Sequence, residues 1–146
     1  MKQPIKLLLA DDDVDDRYFF ELSLSKLSFQ TTLTTVTNGV ELMELLITSK
    51  EDLPDVVFLD LNMPLKSGSE CLSEIMQHEK FRNLPIIVCS TSMDQPVVDS
   101  LYDKGAFNYI RKPGEYSKLK NLISKGIDNL FNMAIRPSKE NFVIHP

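Results

Sequence analysis

Apolar runs of strand length alternate with longer stretches of helical period along almost the whole of this chain. "IKLLLA" (5–10, β1) is apolar nearly throughout, the pattern of a strand covered on both faces. From about Asp15 the period changes, and Phe20, Leu24 and Leu27 at i, i+4 and i+7 predict helix α1. "TLTTVT" (32–37, β2) is rich in β-branched residues but polar, which predicts an edge strand. Asn38-Gly39 turns the chain into α2, where Leu42, Leu45 and Leu46 form the apolar stripe. "DVVFLD" (55–60, β3) follows Leu53-Pro54, and α3 (about 68–79) carries Leu72, Ile75 and Met76 on one face.

Leu84-Pro85 introduces "IIVCS" (86–90, β4). Helix α4 starts near Asp94 with Pro96 in its first turn, where a missing N–H costs nothing, and stops at Gly105. "FNYIR" (107–111, β5) is closed by Pro113, and α5 runs from about Glu115 to Met133 behind Leu119, Leu122, Ile123, Ile127 and Leu130. Five strands alternating with five helices predict βαβ units, right-handed crossovers and a parallel five-stranded sheet. The fold class is α/β: a doubly wound (βα)5 sandwich of three layers. The 146 residues fit one domain, 1–134, with 135–146 as a C-terminal tail docked by Phe142 and Val143.

Composition narrows the function. Sixteen basic against 21 acidic residues give a net charge of −5, without the clustered Lys and Arg of a nucleic-acid binder. No apolar run reaches the roughly 20 residues of a membrane span, and the acids of "MKQPIKLLLADDD" come too early for a signal peptide. The expected location is the cytoplasm. Cys71 and Cys89 read as reduced small hydrophobes, with no Cys/His spacing that would suggest a metal. His78 and His145 lack partner patterns and read as surface residues.

Doubly wound sheets bind ligands outside the carboxyl ends of their strands. Asp11, Asp12, Asp60, Ser90 and Lys112 all fall at or just beyond such ends. The turn after β1 holds five aspartates and no glycine, so it cannot cradle a phosphate with backbone N–H groups. Two carboxylates about 4 Å apart repel by roughly 4 kcal/mol at an effective dielectric near 20. A third then demands a cation or a raised pKa. Hard oxygen donors in an incomplete set favour Mg²⁺, which keeps some of its waters. Asp13, Asp15 and Asp16 read as a solvated helix N-terminus favoured by the dipole. Asp60 has the chemistry of a nucleophile that forms an aspartyl-phosphate, with Lys112 as the balancing cation and Ser90 as a hydroxyl donor to a phosphoryl oxygen. Singly, a turn aspartate, a surface lysine and a turn serine are ordinary; together, at four strand ends, they describe a pocket.

These residues resemble the receiver domain of two-component response regulators over most of the 146 positions. The family pattern is an acidic pair after β1, Asp-x-x-Met-Pro with glycine soon after, Thr or Ser ending β4, and an aromatic three residues before Lys-Pro. Here it reads Asp11-Asp12, "DLNMPLKSG" from Asp60 to Gly68, Ser90, Tyr109 and Lys112-Pro113. The likeness extends to stand-alone members of the chemotaxis and phytochrome-associated types.

The resemblance implies flavodoxin-like strand order 2-1-3-4-5, with Asp60 as acceptor of a phosphoryl group from a sensor histidine kinase or histidine phosphotransfer protein. It further implies Mg²⁺ held by Asp12, Asp60 and the backbone carbonyl of Asn62, with Asp11 acting through water. Lys112 would pair with the phosphoryl group or the acceptor, Ser90 would move toward it, and Tyr109 would rotate inward. Asn62 and Ser92 would tune the rate at which water removes the phosphate. No output domain is expected, and no enzyme activity beyond self-phosphorylation and autodephosphorylation. Output then falls to a protein partner, a further phosphotransfer step, or a homodimer through the α4–β5–α5 face. Ser90 stands where threonine is commoner, and the bulk of Thr91 would hinder access to Asp60. A phosphohydrolase using Asp60 would want an aspartate at position 62, which is Asn62, and a cap insertion. A flavodoxin-like cofactor binder is disfavoured, because the acidic first turn would repel a phosphate.

Overall fold

A computed structural model describes residues 3–132 and 135–146. The elements are β1 (Ile5–Ala10), α1 (Val14–Ser25), β2 (Thr31–Val36), α2 (Gly39–Thr48), β3 (Val56–Asp60), α3 (Gly68–Gln77), β4 (Ile86–Ser90), α4 (Gln95–Asp103), β5 (Asn108–Arg111), α5 (Leu119–Asn132) and β6 (Val143–Ile144). Every strand pair is parallel. Sheet order is β2-β1-β3-β4-β5-β6, so the expected order 2-1-3-4-5 is present and is extended by one strand. The predicted end of α5 at Met133 lies outside the described residues. Its start is later than Glu115, because Tyr116–Lys118 form a separate 3-10 turn before Leu119.

The apolar residues partition by period two onto the two faces of the sheet. Leu8, Val57, Leu59, Ile86 and Val88 pack under α2, α3 and α4 against Leu42, Leu46, Leu72, Ile75 and Leu101. Leu7, Leu9, Phe58, Ile87 and Ile110 pack under α1 and α5 against Phe20, Leu24, Leu122, Ile123 and Ile127. This gives the expected three layers. β2 is an edge strand, its outward positions exposed as its polar sequence requires.

The sheet has six strands where the sequence led us to expect five, because the tail expected to dock through Phe142 and Val143 adds a short strand beside β5. Phe142 is buried, with its ring 5.2 Å from that of Tyr102 and 6.3 Å from that of Tyr109. The Tyr109 N–H donates to the Phe142 carbonyl at 3.0 Å, and the Asn108 amide donates to the same oxygen at 2.8 Å. Arg136 lies over the Tyr102 ring at 3.9 Å and donates to the carbonyls of Tyr102 and Ala106 at 2.6 and 3.1 Å. An edge strand exposes unpaired backbone groups, and this segment covers those of β5. The α4–β5–α5 face expected to carry the readout is therefore bordered by β6.

Candidate functional site

Register brings the polar residues together. Ala10 pairs with Leu59, Asp60 with Cys89 and Ser90 with Arg111. Asp11, Asp60, Ser90 and Lys112 consequently line one carboxyl edge of the sheet. Lys112 is tied there by its N–H, which donates to the Ser90 carbonyl at 2.8 Å. Behind Asp60 the loop folds back tightly, and the Gly68 N–H donates to the Leu61 carbonyl at 2.9 Å. The start of α3 is fixed by a capping box between Ser67 and Glu70.

Carboxylate oxygens of Asp11, Asp12 and Asp60 all lie within 4.8 Å of one another. Asp11 and Asp60 are buried and Asp12 is exposed. The Lys112 ammonium sits 2.9 Å from Asp16 Oδ2, 3.1 Å from Asp11 Oδ2 and 3.5 Å from Asp60 Oδ1. Asp11 Oδ1 also accepts from the Asp13 N–H at 3.0 Å. Burial pushes the Asp60 carboxyl up, Lys112 pulls it down, and the charges of Asp11 and Asp12 raise it again, to about 6. Burial likewise raises Asp11, against the Asp13 N–H and Lys112. Burial disfavours the charged form of Lys112, yet the surrounding carboxylates outweigh it and hold the amine above its usual range.

One lysine does not neutralise this cluster, and the strained protonation of two acids marks a site that favours a further cation. Three carboxylates offering hard oxygens to one spot, short of a full shell, suit Mg²⁺ or Mn²⁺ retaining waters. Burial pushes the neighbouring Cys89 thiol up to about 12, which disfavours its thiolate. Both cysteines are free and buried, as expected.

Ser90 is buried, and its Oγ accepts from the Ser92 N–H at 3.1 Å. The Ser92 carbonyl in turn accepts from the Tyr109 hydroxyl at 2.5 Å. Tyr109 already points inward, 1% exposed, so an inward rotation is not needed from this conformation. Asn62 and Thr91 are exposed at the mouth. Asp13 does cap α1, accepting from the N–H groups of Asp15 and Asp16 at 2.8 and 3.0 Å. Asp16 departs from the solvated role expected of it. Besides Lys112, it takes the Tyr116 hydroxyl at 3.2 Å, and Tyr116 stacks on Phe19 at 3.8 Å. Helical spacing could not reveal this role, because Asp11 and Asp12 precede the extended Asp13 N-cap and lie outside the period of α1.

Fold and pocket together define a doubly wound flavodoxin-like domain with a cation-attracting acidic site at the carboxyl edge of its sheet. The family model of the response regulator receiver domain matches residues 7–124. The chain belongs to that family, the receiver domains of response regulators in two-component signalling, for which phosphorylation and Mg²⁺ are typical.

Among its relatives, the DNA-binding transcriptional regulator NtrC of Escherichia coli K12 is 31% identical over 121 residues, covering 83% of this chain and 24% of that protein. The two-component response regulator-like APRR3 of Arabidopsis thaliana is 30% identical over 118 residues, covering 81% and 23%. The chain thus spans about a quarter of the length of these relatives. The phosphorylated cyanobacterial phytochrome response regulator RcpA superposes with a TM-score of 0.80 at 30% identity, over 93% of this chain and all of that one. The Mn²⁺-bound response regulator Rcp1 shares the fold, with a TM-score of 0.76 at 24% identity over 92% of this chain and all of that one. Among the described residues no helix is long and apolar enough to cross a membrane.

Proposed function

We propose that Asp60 is the phosphoacceptor of this receiver and that its donor is the phosphohistidine of a sensor kinase or phosphotransfer protein. One observation carries the reading: the Asp60 carboxylate lies among Asp11, Asp12 and Lys112, within reach of an acidic cation site and of an ammonium. In the transfer, an Asp60 oxygen attacks phosphorus, the P–N bond breaks, and the imidazole leaves with the electron pair and takes up a proton. Asp12, Asp60 and the Asn62 carbonyl would hold Mg²⁺ directly, with Asp11 acting through water. Mg²⁺ bound there supplies neutralisation of the phosphoryl oxygens.

Lys112 then balances the added charge from the opposite side. Ser90 turns its hydroxyl to a phosphoryl oxygen and gives up the Ser92 N–H, which shifts the loop that also holds Tyr109. Tyr109 packs on Phe142, so the change reaches the β6 segment as well as α4. A homodimer over the α4–β5–α5 face would meet this segment. Asn62 and Ser92 flank the approach of water and set the phosphate's lifetime. The chain turns over no other substrate: it gains a phosphoryl group and loses it to water.

The test is incubation with Mg²⁺ and acetyl phosphate, comparing wild type with Asp60→Asn. Wild type gains one acid-stable, base-labile phosphate and the variant gains none. Absence of label on wild type, or equal label on both, overturns the reading.

A further inference from the structure

An ammonium has three N–H donors, and Lys112 meets three carboxylates, those of Asp11, Asp16 and Asp60. It sits nearest Asp16, at 2.9 Å, and farthest from Asp60, at 3.5 Å. Hydrogen bonds hold it to Asp16 and Asp11, whereas its contact with Asp60 is a longer ion pair. To close on a phosphoryl group on Asp60, the ammonium has to loosen one of those two hydrogen bonds.

Which one follows from solvation. The Asp11 side chain is 4% exposed and is also fixed by the Asp13 N–H. Releasing the ammonium there would strand a buried carboxylate, a costly event. The Asp16 side chain is 25% exposed, so water can take over when Lys112 leaves. The movement required, away from Asp16 and toward Asp60, lies beside a small cavity of about 100 Å³ between Asp16, Lys112, Thr91 and Tyr116, floored by Phe20 and Ile110.

We infer that Asp16 is a positioning residue that holds Lys112 off the acceptor at rest and is the partner exchanged for the phosphoryl group. This rests on the reading of Asp60 as acceptor. Two consequences follow. Asp16 weakens the hold on a phosphoryl group, because that contact must be broken first. Its release also leaves the Asp16 charge to Tyr116 alone, whose hydroxyl donates to the other oxygen of that carboxylate and whose ring stacks on Phe19. The exchange thus reaches the α1 side of the domain, away from the Ser90–Tyr109 route.

The experiment titrates beryllofluoride, a phosphoryl mimic, in saturating Mg²⁺ into wild type, Asp16→Asn, Asp16→Glu and Asp15→Asn. Asp15 is an exposed neighbour without contact to Lys112, so Asp15→Asn measures the general gain from deleting one acid. Asp16→Asn is expected to bind about three- to tenfold tighter than Asp15→Asn, the reach of a part-exposed, charge-assisted contact. Asp16→Glu restores wild-type affinity, and Mg²⁺ affinity changes equally in the two Asn variants. A second readout uses 3-fluorotyrosine, whose signals the four tyrosines of the chain keep resolvable. The Tyr116 signal, assigned with Tyr116→Phe, moves when wild type binds the mimic and starts near its moved position in Asp16→Asn. Equal affinities in the two Asn variants, or an unmoved Tyr116 signal, overturn the role of Asp16 and leave Asp60 as acceptor intact. Failure of wild type to bind the mimic overturns both.

Discussion

A Cβ on residue 68 would lie 2.3 Å from the carbonyl oxygen of Asp60, closer than any side chain tolerates. Gly68 is therefore a condition for placing Asp60, the proposed acceptor, since α3 begins against its backbone. Gly68→Ala is expected to push β3 and α3 apart, at a cost of about 1–3 kcal/mol from overpacking. The displacement acts on the Asp60 backbone itself, so labelling by acetyl phosphate should slow well beyond the loss of folded protein. Urea unfolding read beside labelling rates separates the two effects.

The Asp60 carboxyl makes the metal-free protein pH-sensitive. Its folded pKa, about 6, lies above the unfolded value near 3.8. The folded state thus holds a proton that the unfolded state has lost, and this contribution to stability falls as pH rises from about 4 through 6. Above pH 6 the full cost of the buried charge is present. Asp60→Asn removes that cost, and in EDTA at pH 7.5 it should stabilise the domain by about 1–3 kcal/mol. At pH 4 the gain should nearly vanish. Added Mg²⁺ should raise the melting temperature of wild type at pH 7.5 and leave the variant almost unmoved. A variant less stable than wild type in EDTA at pH 7.5 would contradict this account.

Phe142 behaves as a core residue although only four residues follow it in the sequence. It is 1% exposed between Tyr102 and Tyr109, and its carbonyl caps the β5 edge. Phe142→Ala is expected to cost about 3–5 kcal/mol, as for a buried aromatic elsewhere. Amide hydrogen exchange should localise the damage, with loss of protection at Tyr109, whose N–H that carbonyl accepts.

The alternation of apolar runs was enough to read the five main strands and the layers they imply, because buried parallel strands leave continuous Val, Ile and Leu in the sequence. The strand-end positions of Asp11, Asp60, Ser90 and Lys112 were legible for the same reason. β6 was not. Its two residues are too short for a period, and its place depends on Phe142, Asn108 and Arg136 meeting across more than 25 positions. Asp16 was hidden among acids that read as a solvated helix N-terminus, and its contact with Lys112 spans 96 positions. Such pairings are set by tertiary closure, which local pattern does not encode.

The Ser92 residue joins two parts of the proposed switch, because its N–H reaches Ser90 Oγ while its carbonyl receives the Tyr109 hydroxyl. Ser90→Ala removes both the hydroxyl offered to a phosphoryl oxygen and the anchor of the Ser92 N–H. Beryllofluoride should then bind several-fold more weakly, since a hydrogen bond to a charged group contributes about 1.5–3 kcal/mol. The Tyr109 resonance should no longer follow occupancy of the site. Ser90→Thr keeps the hydroxyl and should restore both affinity and response. Tyr109→Phe makes the complementary test: it keeps the Ser90 contact, so the mimic should bind with near wild-type affinity, while the β4–α4 loop loses its tie to β5. If Ser90→Ala leaves the Tyr109 shift intact, the tyrosine responds through Lys112 and the β5 backbone instead, and the Ser90–Ser92–Tyr109 connection is wrong.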